Sequence, residues 1–227
     1  MVKVKVCGLT NLHDALAAVA GGAHLLGFIF FPGSPRYVTP EQVRAILTAV
    51  REQHPNAFGV GVFVNETPGF VRHVLDFCGL QLAQLHGEEP PEMLGLGGGH
   101  PSPLRGCAYK ALRPRSHAEA HHLAAEYALP ALWQGENGPP AFLVDAYHTA
   151  QRGGTGQAAD WNMAAHLAGH HRVMLAGGLS PANVAQAIRQ VHPWGVDAAS
   201  GVEHAPGHKD HAAMRAFVAA ARAAATD

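Results

Sequence analysis

The chain has few charged residues and few cysteines. Only 15% of its 227 residues are charged, and 16 basic residues nearly balance 17 acidic ones. This balance argues against a protein that coats nucleic acid or a membrane surface, because both usually carry a basic excess. The three cysteines are far apart in the sequence and odd in number, which argues against a disulfide framework or a CxxC zinc knuckle.

Long hydrophobic runs are also missing. A membrane-spanning helix needs roughly 18 apolar residues, whereas the most apolar segment, Leu25 to Phe31, is bounded by His24 and Pro32. The first residues, MVKVKVCG, alternate in polarity, unlike a signal peptide. We therefore expect a cytoplasmic protein that binds neither a membrane nor nucleic acid. The apolar content of 48% suits one packed domain spanning residues 1–227.

Histidine is the unusual feature of the composition, since its 17 copies outnumber lysine and arginine together. The densest group is His204, His208 and His211, but Pro206 and Gly207 interrupt any helix that would align the first two. No HExxH motif occurs in the sequence. We therefore expect exposed histidines, no metal site and no cofactor.

Eight short apolar or β-branched runs recur along the chain and alternate with helix-like segments. A cap residue followed by proline marks several helix starts, as at Thr39-Pro40, Thr67-Pro68 and Ser180-Pro181. Strands that alternate with helices indicate parallel pairing, so we predict a (β/α)8 TIM barrel, with an open doubly wound sheet as the alternative. The predicted strands are Lys3–Cys7, Leu25–Phe30, Ala57–Val64, Leu80–Leu85, Gly106–Ala111, Ala141–Asp145, Arg172–Leu175 and Gly195–Ala199.

Small residues cluster after the last three predicted strands. In a barrel, the loops after the strands form the active face, and glycines there let backbone N–H groups approach an anion closely. A helix that starts at Ser180-Pro181 would add positive potential. We therefore predict a phosphate site, although each glycine pair alone also fits a tight turn. The predicted phosphate contacts are Gly154, Thr155, Gly156, Gly177, Gly178, Ser200 and Gly201.

Two ionisable residues end predicted strands one and six. Cys7 and Asp145 would face each other across the barrel mouth, where a thiolate can accept a proton and a carboxylic acid can donate one. A nucleophilic Cys7 is the alternative, with His86 as a neighbour; we expect His86 and Gln84 to be rim contacts. Arg36, after a Gly-Ser-Pro turn, suits a carboxylate held by a forked pair of hydrogen bonds.

Together these motifs resemble the phosphoribosylanthranilate isomerases of tryptophan biosynthesis along essentially the whole chain. The departures are Ala146 and Ala199, where a serine is common. The matching motifs are KVCGLT, GFIFFPGSPRYVTPE, GVFVN, QLHG, LVDAYHTAQRGGTG with DW, LAGGLSPANV, VDAASGVE and PGHKD.

The resemblance implies an Amadori rearrangement without a cofactor, the third step of tryptophan synthesis from chorismate. N-(5-phosphoribosyl)anthranilate would become 1-(2-carboxyphenylamino)-1-deoxyribulose 5-phosphate. By this likeness Asp145 is the general acid, Cys7 is the general base and Arg36 binds the anthranilate carboxylate. The protein would be a monomer or a homodimer. The alternatives are another phosphosugar-binding barrel enzyme, or a catalytically silent protein that binds phosphate or metal.

Overall fold

The computed structural model describes residues 1–97, 101–135, 138–145 and 161–225. Eight parallel strands form a closed barrel in chain order, because β1 pairs with β8 as well as with β2. The TIM-barrel prediction is therefore confirmed and the open sheet is wrong. The strands are β1 (Lys3–Val6), β2 (Leu25–Ile29), β3 (Gly59–Phe63), β4 (Leu82–Leu85), β5 (Ala108–Leu112), β6 (Phe142–Asp145), β7 (Val173–Ala176) and β8 (Gly195–Ala198).

Helices cover the outside of the barrel. Thr39 and Thr67 cap α2 and α3 through their side chains, each followed by proline, as the sequence predicts. None of the helices in the described part of the chain is long and apolar enough to cross a membrane. The helices are α1 (Leu12–Ala20), α2 (Pro40–Gln53), α3 (Pro68–Cys78), α4 (His117–Tyr127), α5 (Trp161–Ala168), α6 (Val184–Val191) and α7 (His211–Ala224).

Helix α6 begins later than predicted. The sequence places its start at Ser180-Pro181, whereas the helix begins at Val184. The side chain of Asn183 accepts a hydrogen bond from the Ser180 N–H (2.8 Å) and donates to the Gly178 carbonyl (3.0 Å). These bonds hold residues 180–183 in a turn that leads into the helix, since the Val184 N–H donates to the Ser180 carbonyl (3.1 Å).

A small hairpin follows β8 and was not predicted. Strands β9 (Glu203–Ala205) and β10 (His208–Lys209) pair in antiparallel fashion, and the turn uses Gly207 at φ +80°, which favours glycine. The Thr10 hydroxyl, in the loop before α1, donates to the Gly207 carbonyl (2.5 Å), and the Lys209 N–H donates to Asp14 of α1 (2.9 Å), so the hairpin packs against the start of that helix. It thereby positions Glu203 and Lys209 beside the carboxyl ends of the strands.

Candidate active site

Cys7 lies just beyond the carboxyl end of β1 and is buried, with 5% of its surface exposed. Its backbone N–H donates to the Ala198 carbonyl (2.8 Å), which extends the contact between β1 and β8. A side chain at Gly27 would lie 2.8 Å from the Cys7 sulfur, so β2 needs a glycine there. Burial raises the pKa of the Cys7 thiol, and the positive charge of Lys5 counteracts part of that rise.

Beneath Cys7 the barrel contains a buried polar network. Lys5 Nζ donates to Asp197 Oδ2 (2.8 Å) and to Gln84 Oε1 (2.9 Å), and the Tyr109 hydroxyl donates to the same Gln84 oxygen (3.0 Å). Burial alone would lower the pKa of Lys5, but Asp197, Cys7 and Tyr109 together outweigh that effect and raise it, so Lys5 is charged. Because side chains alternate along a strand, Lys5 and Cys7 share the inner face of β1.

His86 and Asp145 come together at the carboxyl ends of β4 and β6. His86 Nε2 lies 4.0 Å from Asp145 Oδ2, and His86 Nδ1 is 2.8 Å from the Gln84 amide nitrogen. Since two donors fix Gln84 Oε1, the Gln84 nitrogen is the donor and His86 Nδ1 accepts, which leaves the ring proton on Nε2. Burial lowers the pKa of His86 to about 4, so the ring is neutral at pH 7.

Arg36 sits beside Cys7 and is held by the hairpin. A side chain at Gly8, the residue after Cys7, would lie 2.6 Å from Arg36 Cδ. Arg36 Nε and Nη2 donate to Glu203 (2.9 and 2.6 Å), and Lys209 Nζ also donates to Glu203 (2.7 Å). Hydrogen bonding to Glu203 raises the pKa of Arg36. Nη1 is the guanidinium nitrogen left out of this ion pair.

The loops after β7 and β8 touch each other. Gly177 and Gly178 have φ values of +101° and +67°, the left-handed region that favours glycine. Ser200 begins a short 3₁₀ helix, and a side chain at Gly201 would overlap the carbonyl oxygen of Leu179. Four of the predicted phosphate contacts therefore lie on two adjoining loops.

The structure changes the interpretation of one predicted site residue, Gln84, and does not describe three others. Gln84 is 2% exposed and lies inside the barrel, so it is not on the rim; it acts on the rim only through His86. Strand alternation explains this position, because Gln84 points inward one layer below His86. Gly154, Thr155 and Gly156 fall outside the described residues.

Several residues at this site escape the sequence analysis. The charged side chains of Lys5, Asp197, Glu203 and Lys209 are all buried. Lys5 carries a usable signal, because a residue two positions before Cys7 in a strand must share its face. Glu203 carries no such signal, since Arg36 is 167 positions away.

The chain matches known proteins over nearly its full length. The sequence profile of the N-(5'-phosphoribosyl)anthranilate (PRA) isomerase family matches residues 4–101 and 117–220. N-(5'-phosphoribosyl)anthranilate isomerase of Citrifermentans bemidjiense is 46% identical over 222 residues, which cover 98% of each chain.

Solved structures agree. Phosphoribosyl anthranilate isomerase from Thermotoga maritima superposes with a TM-score of 0.80 at 36% identity, covering 98% of this chain and 100% of that one. A phosphoribosyl anthranilate isomerase in complex with reduced 1-(o-carboxyphenylamino)-1-deoxyribulose 5-phosphate gives 0.78 at 35% identity, with the same coverage. This chain therefore belongs to the N-(5'-phosphoribosyl)anthranilate isomerase family, the isomerases of tryptophan biosynthesis.

Proposed function

We propose that this chain converts N-(5-phosphoribosyl)anthranilate to 1-(2-carboxyphenylamino)-1-deoxyribulose 5-phosphate, with Asp145 as general acid and Cys7 as general base. The observation that carries the proposal is the position of these two side chains. Asp145 is the last residue of β6, Cys7 directly follows β1, and β7 and β8 separate the two strands around the closed barrel. A phosphosugar between them therefore meets a proton donor and a proton acceptor on different sides.

Asp145 starts the reaction in this proposal. Its proton passes to the ribose ring oxygen, the bond from that oxygen to C1 breaks, and the anthranilate nitrogen lone pair forms a Schiff base at C1. The neutral His86 ring presents its Nε2 proton toward Asp145 at 4.0 Å. We infer that His86 orients the carboxyl group and adds no second positive charge next to the Schiff base.

Cys7 completes the rearrangement. Its thiolate removes the proton from C2 of the sugar, and the electron pair moves to the Schiff base to give an enolamine, which tautomerises to the ketone. A thiolate in a buried position needs a cation nearby, and Lys5 supplies it from the layer below. The network around Lys5 therefore supports both catalytic groups, since its other branch runs through Gln84 to His86.

The two charged ends of the substrate account for the remaining residues. Arg36 would bind the anthranilate carboxylate through Nη1 while Glu203 holds the rest of the guanidinium. The phosphate would lie against the backbone N–H groups of Gly177, Gly178, Ser200 and Gly201, with Gly154–Gly156 completing the site. We place this small-molecule chemistry in the cytoplasm, in a monomer or a homodimer.

Steady-state kinetics with the fluorescent substrate test the two catalytic roles, using EDTA-treated protein. Cys7→Ser and Asp145→Asn should each lower turnover by about 10²-fold or more, as loss of a general acid or base does. Cys107→Ser and Asp76→Asn are matched controls, because both residues lie on or beside α3, in contact with Arg72. A near-normal rate in Cys7→Ser or Asp145→Asn would remove that residue from its role.

Growth of a tryptophan auxotroph that lacks this isomerase tests the reaction as a whole. The unmodified chain should restore growth without tryptophan, and the Asp145→Asn variant should not. Failure of the unmodified chain, produced in folded form, would favour the alternative of another phosphosugar-binding barrel enzyme.

A further inference from the structure

A second group of chemically active side chains lies outside the proposed active site. His13 and Asp14 belong to the first turn of α1, and His211 begins α7. One ligand atom from each lies within 4.8 Å of the others, and the two imidazole rings are 4.4 Å apart between centroids. Two imidazoles and a carboxylate form a typical ligand set for zinc and its neighbours in the first transition row.

Hydrogen bonds within the protein orient the Asp14 carboxylate. Asp14 Oδ2 accepts hydrogen bonds from the Lys209 backbone N–H (2.9 Å) and from the Asn11 amide (2.8 Å). The other oxygen, Oδ1, faces His211 Nε2 at 2.7 Å. Asp14 is buried, and its hydrogen bonds outweigh the effect of burial and lower the pKa of its carboxyl, so the group is ionised at neutral pH. Carboxylates held in this way in metal sites keep their ligand oxygen in place.

We propose that His13, Asp14 and His211 bind one divalent transition-metal ion of the Zn²⁺ class. Tetrahedral bonds of about 2.0–2.1 Å to nitrogen and oxygen require ligand atoms closer together than 4.8 Å. His13 is exposed on a helix turn and can swing inward. His211 Nε2 exchanges its bond to Asp14 for the metal, and water takes the fourth position.

The charges around the site do not oppose this assignment. The N-termini of α1 and α7 bring partial positive charge, which the carboxylates of Asp14 and Asp210 offset. Lys209, the nearest lysine in sequence, turns its ammonium group away to Glu203 and the Ala199 carbonyl. The ion would join the first and last helices, so it would stabilise the closed barrel and the β9–β10 hairpin. The sequence alone does not reveal this site, because Asp14 and His211 are 197 positions apart.

Titration calorimetry with Zn²⁺ on metal-stripped protein tests the proposal. We expect one site per chain, and at least tenfold weaker binding in both His13→Gln and His211→Gln. His121→Gln is the matched control and should retain full affinity, because His121 meets the His166 ring edge to face at 4.6 Å but belongs to no three-ligand group among the described residues. Because His13 is exposed, its variant should fold normally and keep full isomerase turnover.

Two further measurements identify the ligands. Co²⁺ should give the visible absorption bands of tetrahedral coordination, and these bands should disappear in His13→Gln but persist in His121→Gln. Mg²⁺ should not compete, since it prefers an octahedral shell of oxygen ligands. Equal Zn²⁺ affinity in His13→Gln and the unmodified protein, or loss of binding in His121→Gln alone, would overturn the assignment.

Discussion

Glu203 holds Arg36 in a forked ion pair, with Arg36 Nε and Nη2 on its two carboxylate oxygens at 2.9 and 2.6 Å. Lys209 donates to the same carboxylate at 2.7 Å, so one acidic group fixes two cations. Only 4% of the Glu203 side chain is exposed, against 19% for Arg36. This arrangement keeps the guanidinium fixed beside Cys7 while one of its nitrogens faces away from Glu203.

The first prediction concerns this arginine. In Arg36→Lys the charge remains, but Nη1 is lost together with the fork that anchors the side chain on Glu203, so we expect KM to rise about tenfold or more with a smaller change in kcat. Steady-state kinetics measure both constants. A substrate analogue without the anthranilate carboxylate provides the control, because the variant and the unmodified enzyme should handle it equally well. If Arg36→Lys and the unmodified enzyme show the same ratio of kcat/KM for the substrate and the analogue, Arg36 does not bind the carboxylate.

The second prediction concerns the contact between the loops after β7 and β8. In Gly201→Ala the new methyl group would overlap the Leu179 carbonyl and push the two loops apart. We expect inorganic phosphate to inhibit the variant at least about tenfold more weakly, since a few misplaced N–H donors are worth this much. Gly69→Ala is the matched control, because a methyl group there meets no atom within 4 Å. Unchanged phosphate inhibition in Gly201→Ala would argue against this phosphate site.

The third prediction tests the buried ion pair. Lys5→Met leaves the Asp197 charge inside the barrel without its cation, and we expect a loss of about 3–5 kcal/mol in the free energy of unfolding. Asp197→Leu in the same chain removes the unpaired charge and should restore most of that loss. Urea denaturation of the single and double variants measures the difference. If the double variant is no more stable than Lys5→Met, the lost packing of Lys5, and not the unpaired charge, is the cause.

The fourth prediction concerns pH. His86 titrates at about 4 in the folded protein, against its ordinary value of 6.5. Above pH 6.5 the ring is neutral in both states, whereas between pH 6.5 and 4 only the unfolded chain takes up the proton. The protein should therefore lose stability in this interval as the pH falls, by on the order of 2 kcal/mol from His86 alone.

Comparison with His86→Gln isolates this contribution among the other histidines. Urea denaturation at pH 7 and pH 4.5 should show a smaller loss of stability in the variant than in the unmodified protein. Equal losses would mean that His86 takes up its proton equally well in both states.

Local sequence patterns specify the order of the strands and helices and much of the active face. Apolar runs that alternate with capped helices define the eight strands, and each predicted strand lies within two residues of an observed one at both ends. The helix predicted after β4 is wrong for the described residues there, which hold only the short 3₁₀ helix Pro91–Leu94. These signals are local: hydrophobic periodicity, proline after a cap residue, and glycine where φ must be positive. Cys7 and Asp145 were found because each directly ends such a local element.

Which side chains meet depends on the closed fold. Closure of the barrel brings Lys5 to Asp197, 192 positions apart, and the hairpin brings Glu203 to Arg36. The fold also brings His13 and Asp14 next to His211, so two of the histidines belong to one cluster. Such pairs depend on strand register and loop path, which no local pattern encodes. The sequence contains few charges, and the fold buries several of them in pairs near the active face, among them Lys5–Asp197 and Lys209–Glu203.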